Sequence, residues 1–111
     1  MQLKEAIENK NQLLGRSISL EGFLYLDRKS QYLVSEEHEL GDQAKGIPIL
    51  DQGLGDALEG KVSAWLGGAL YQDHVEITAI IVESNDVNYP FALKGISRMK
   101  LIRRGEIFEI Y

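Results

Sequence analysis

The side chains in this sequence best suited to chemistry are few, and the most concentrated group is "EEHE", Glu36 to Glu39. Carboxylates flanking an imidazole suit a divalent metal, but ligands so close in sequence usually need a second, distant cluster, and the only other histidine is His74. A solvated acidic loop explains the run equally well. Nucleophilic chemistry has less to stand on: the 111 residues contain no cysteine and no G-x-S-x-G, so no nucleophile and base can be paired. Nor is there a G-x-x-x-x-G-K-[ST] loop to cradle phosphates; Gly67-Gly68 reads as a turn. The residues therefore point to a non-enzymatic protein with no cofactor and no metal.

Charge narrows the classes further. The chain has 12 Lys/Arg against 17 Asp/Glu, a net −5, which disfavours broad electrostatic binding to nucleic acid, where affinity comes from basic residues displacing phosphate counterions. The basic residues are uneven: Lys94, Arg98, Lys100, Arg103 and Arg104 crowd into an eleven-residue stretch, 94–104, that holds no acid. Such a segment on an acidic body either pairs with the protein's own carboxylates, the simpler expectation, or marks a local phosphate contact. Apolar content of 44% and charged content of 26% match soluble globular averages. No apolar run approaches the roughly 20 residues of a membrane span, and "MQLKEAIENKNQ" lacks the apolar core of a secretory signal, so a cytoplasmic protein that avoids membranes is expected.

The elements that must position these groups follow from periodicity. "QLKEAIENKNQLL" places Leu3, Ile7 and Leu14 near one helical stripe, beside Ala6 and Leu13, and ends at Gly15. From Arg16 the period becomes two: Ile18, Leu20, Leu24 and Leu26 face inward, while Ser19, Glu21, Phe23 and Tyr25 face outward. Gly22 sits mid-strand, where a glycine marks a bulge or bend. "QYLVSEE" returns antiparallel after the "DRKSQ" turn, "GIPILD" is a short third strand, and "QGLGDALEG" has room for a helical turn or two. "KVSAWLG" alternates again, with Val62, Ala64 and Leu66 inward and Trp65 outward. "HVEITAIIV" makes a fifth strand, and "MKLIR" and "EIFEIY" flank an Arg-Gly turn as a C-terminal hairpin.

The wording "LLGRSISLEGFLYLD…QYLVSEE…GIPIL…LEGKVSAWLGGALYQDHVEITAII" resembles the OB-fold pattern of small bacterial proteins: a Gly-basic pair opens the first strand and an apolar-Glu-Gly step bends it. The resemblance covers residues 15–82 and implies a mainly β, five-stranded closed barrel. One domain, 1–111, would then carry a helix at 1–14, the barrel at 15–82 and an extension at 90–111. In that fold the first strand pairs with the fourth, which would set Trp65 beside Phe23 and Tyr25 on the barrel's outside. The usual ligand loops would add Arg28 and Lys29 from one side and Tyr71 from the other.

Two functions follow as expectations. The first is a protein-binding module, of the inhibitor or immunity type, that meets a basic partner through its acidic surface and its aromatic β-face; a second copy of the chain is another such occupant. The alternative is a binder of single-stranded nucleic acid, with bases stacked on Phe23, Tyr25 and Trp65 and phosphates on Arg28, Lys29, Arg103 and Arg104. Against both stands a duller use of the aromatics: the N-terminal helix and the C-terminal hairpin, with Phe108 and Tyr111, need an apolar surface and would find one there.

Overall fold

A computed structural model of the chain describes residues 1–66 and 68–111, which leaves the Gly67 half of the expected glycine turn outside the described residues. Alternation in "SISLEGFLYL" produces a ten-residue strand, β1 (Ser17–Leu26), that buries Leu20, Leu24 and Leu26 and leaves Ser19, Glu21, Phe23 and Tyr25 on the other side. The elements in chain order are α1 (Leu3–Glu8), α2 (Lys10–Leu13), β1, β2 (Gln31–Val34), β3 (Ile47–Pro48), α3 (Leu54–Glu59), β4 (Tyr71–Val82), β5 (Ala92–Arg103) and β6 (Glu106–Glu109). The N-terminal stripe forms a helix interrupted at Asn9, and it buries Leu3, Ala6 and Leu13.

The expected closed five-stranded barrel is overturned. Among the described residues six strands make one antiparallel sheet in the order β3-β2-β1-β4-β5-β6, and the sheet stays open. Two physical reasons account for this. The third strand is two residues long and ends in Pro48, which has no N–H to give a ladder. Among the described residues the backbone of its continuation meets β5 through one parallel bridge, Ile49 with Leu93, and the Leu50 N–H donating to the Leu93 carbonyl at 2.8 Å; beyond that, contact passes to the Asp51 side chain. The second reason is that "KVSAWLG" is no strand: residues 62–66 run as coil, Val62 enters the core, and Leu66, expected inside, is 98% exposed. The partner of β1 is instead β4, paired over ten positions from Ser17 with Ile80 to Leu26 with Tyr71.

One core holds the molecule together. Leu3 and Ala6 from α1, Leu54 and Leu58 from α3, Ile110 and the partly buried Phe108 all join the inward face of β1, β4 and β5. Both chain ends therefore pack on the inward side of the sheet. Met1 and Gln2 run beside the edge of β1: the Glu21 N–H donates to the Met1 carbonyl at 2.9 Å, the terminal ammonium donates to the Ser19 carbonyl at 3.2 Å, and Gln2 Nε2 donates to the outward Glu21 carboxylate at 3.0 Å.

Candidate binding surface

The outward face can be read row by row from the strand register. Tyr25 lies opposite Tyr32 and Gln72; Phe23 lies opposite Val34 and His74, with Ile102 and Ile107 beyond. Next come Glu21, Glu76, Lys100 and Glu109, and then Ser19, Thr78 and Arg98. An aromatic and apolar end thus grades into a polar and basic one.

At the aromatic end the loop 35–46 decides what stays open. It folds over Tyr32, so closely that a Cβ on Gly46 would sit 2.4 Å from the ring. Tyr25 stacks on that ring at 4.8 Å, and its hydroxyl donates to Asp27 at 3.0 Å. Burial, then Asp27, raises the Tyr25 pKa above its ordinary value. Tyr25 is thereby tied into internal contacts. Phe23 is left half-buried, its ring 5.2 Å from His74, and the His74 Nε2 is 2.9 Å from Glu21 Oε1. Phe23, Leu40, Trp65, His74 and Ile102 line a shallow groove of about 230 Å³, with Glu37 and Arg104 also at its wall. Beside it Ile107 is 64% exposed.

Trp65 reaches this groove by a route that its periodicity does not show. Asp73, 5% exposed on the inward face of β4, accepts from Arg103 Nε at 2.8 Å through one oxygen and from Nη2 at 2.7 Å through the other. Arg103 Nη1 donates to the Ser63 carbonyl at 2.6 Å, and its guanidinium lies 4.2 Å from the centre of the Trp65 ring. Trp65 Nε1 donates to Asp73 at 3.3 Å, and the buried Tyr71 hydroxyl donates to the Val62 carbonyl at 2.7 Å. This cluster staples the coil 62–66 to the end of the sheet. Hydrogen bonding to Asp73 raises the Arg103 pKa further, and burial raises that of Tyr71.

The eight residues singled out from the sequence are thus distributed over four places. Phe23, Trp65, Arg103 and Arg104 meet at the groove, though Arg103 faces Asp73 and Ser63; Arg104, in the left-handed turn at φ 50°, holds its guanidinium 5.3 Å from the Trp65 ring centre. Tyr71 is buried, and Tyr25, partly buried, stacks on the buried Tyr32. Arg28 and Lys29 lie at the β1–β2 turn beside Leu50 and Gln52, outside the groove. Asp73 and Leu40 were not anticipated, because nothing in their local sequence distinguishes a clamp or a groove wall from an ordinary strand or loop residue. Glu36 to Glu39 form a 3-10 turn in which Glu39 accepts from the Glu36 N–H, and among the described residues no three His, Asp or Glu side chains converge as metal donors.

No protein-family model matches the chain, and a search of curated proteins found no match. Among the described residues no helix is long and apolar enough to cross a membrane.

Proposed function

We propose that the chain is a non-enzymatic binding module that takes a basic protein partner on the outward face of its sheet. The observation that supports this most is that both chain ends pack on the inward side, while Phe23, Ile102, Ile107 and Trp65 remain on or beside the groove. An aromatic and aliphatic cluster with a charged rim is the anatomy of an interface core. Glu37 at the groove wall and the exposed Glu109 on the outward side of β6 put acid on that rim beside Arg104, and the net −5 favours a basic partner. Single-stranded nucleic acid is the less favoured ligand of this groove, because Arg103 is committed to Asp73 and the Arg28–Lys29 pair lies elsewhere.

The test is affinity capture with the wild-type chain and with Ile107→Glu, an exposed substitution that should not disturb folding. The expected result is a specific basic partner retained by wild type and by an Arg28→Ala/Lys29→Ala control, and lost with Ile107→Glu. Identical capture by all three would refute the reading. In parallel, Trp65 fluorescence is titrated with a single-stranded oligonucleotide; quenching that fades steeply with salt would replace the protein partner by nucleic acid.

A further inference from the structure

The basic end of the outward face is independent of the groove, and it is built differently. The register of β4 and β5 slips between Thr78 and Ile80: Thr78 lies opposite Arg98, while Ile80 lies opposite Lys94. Two positions along β4 thus face four along β5, and the surplus forms a bulge at Gly95, whose φ is 64°. Asp51 holds that bulge in shape, with the Gly95 N–H donating to one carboxylate oxygen and the Ile96 N–H to the other, both at 2.8 Å. The bulge sets Arg98 beside a pair of hydroxyls: Ser19 Oγ and Thr78 Oγ1 are 2.7 Å apart on neighbouring strands. Between them the two hydroxyls have two protons and spend one on each other, so one O–H remains to donate outward.

Ser19, Thr78, Arg98 and Lys100 line a shallow hollow of about 190 Å³ together with Glu76 and Ile77. Among the described residues Lys94, Arg98 and Lys100 have no ion-pair or side-chain hydrogen-bond partner, in contrast to Arg103. A guanidinium with its donors unspent, a hydroxyl with a proton to give, the Lys100 ammonium in the hollow and that of Lys94 in the next row at Ile80 are complementary to a tetrahedral oxyanion. The geometry points to a binding site for a single phosphate group, held by Arg98, Ser19 and Thr78 with Lys94 and Lys100 supplying charge. The size of the hollow and the net −5 select one phosphate, inorganic or a monoester, over a polyanion. Glu76, which lies opposite Lys100, opposes the anion and sets a modest affinity.

Backbone amide NMR at low ionic strength, with inorganic phosphate as the probe and chloride at matched ionic strength as the reference, tests the site. Saturable shifts confined to Ser19, Thr78 and the Gly95–Arg98 bulge are expected in the millimolar range. Arg98→Ala should weaken binding about tenfold and Arg98→Lys by less, since a point charge replaces a fork. Glu76→Gln should tighten it two- to threefold, by roughly the removal of one exposed like charge. Both positions are at the surface, and circular dichroism checks the fold of each variant. Equal affinity for wild type and Arg98→Ala would overturn the site, as would shifts spread evenly over Lys29 and Lys45, or binding to an oligonucleotide at these residues with none to inorganic phosphate.

Discussion

Arg103 and Arg98 project from the same strand, and the surroundings give them opposite work. Arg103 is closed in by Asp73, Ser63, Trp65 and Tyr71, and every nitrogen of its guanidinium has a protein partner. Arg98 is exposed, with two hydroxyls nearby and, among the described residues, no carboxylate bound to it. What separates them is what the opposite strand presents: the row at the Arg103 end brings up a buried acid, whereas the bulge pinned by Asp51 sets Arg98 against Thr78. A cation that repairs a buried carboxylate stabilises the fold; one left in water is available to a ligand.

The largest effect should come from breaking the closed end. Asp73→Ala leaves the Arg103 guanidinium half-buried without its counter-charge, and urea unfolding should show a loss of about 3–5 kcal/mol. Adding Arg103→Met to Asp73→Leu should recover most of that loss, because two apolar side chains carry no desolvation penalty. If the double variant were as unstable as the single one, the pair would be contributing more than mutual neutralisation.

Smaller changes sharpen the same contrast. Tyr71→Phe removes the hydroxyl that donates to the Val62 carbonyl and should cost about 1–2 kcal/mol, with Trp65 fluorescence reporting a loosened coil 62–66. The β1–β2 turn near this end titrates. The Lys29 N–H, donating to Asp27 at 2.8 Å, is the main cause that lowers the Asp27 pKa, helped by the Ser30 N–H. A carboxyl depressed in the folded state contributes stability above its unfolded value, about 4, and loses that contribution as the pH falls through the folded one. Asp27→Asn should therefore flatten the acid side of the stability profile below about pH 4 and leave its slope near pH 7 unchanged.

How much of this was legible depended on whether one element's own residues decided it. Strand β1 was readable almost to the residue, because a single uninterrupted alternation governs it, and the Arg104-Gly105 turn was readable from its chemistry. The helix at 1–14 was readable as a stripe, though not its break at Asn9. The stretch 62–66 deceived because alternation is also what a coil shows when Val62 must enter the core and Trp65 must cover Arg103. Strand β5 was only half visible: the bulge places Leu93, Ile96 and Met99 inward at a spacing of three, which does not look like a strand. Barrel closure failed for the same reason that the clamp was missed, since both depend on which segments meet. Trp65 shares a groove with Phe23 not by strand pairing but because Asp73 and Arg103 hold it there.

The smallest effect predicted is also the one that most directly separates the two ends of β5. Arg98→Ala removes an exposed side chain with no ion-pair or side-chain hydrogen-bond partner among the described residues, so its unfolding free energy should stay within about 0.5 kcal/mol of wild type. Arg103→Ala, five residues along the same strand and on its inward face, leaves Asp73 buried and unpaired and should fall well below it in the same urea titration. Equal losses for the two variants would mean that the bulge needs the Arg98 side chain for its own stability. The hollow at Ser19 and Thr78 would then be a structural feature rather than an open site.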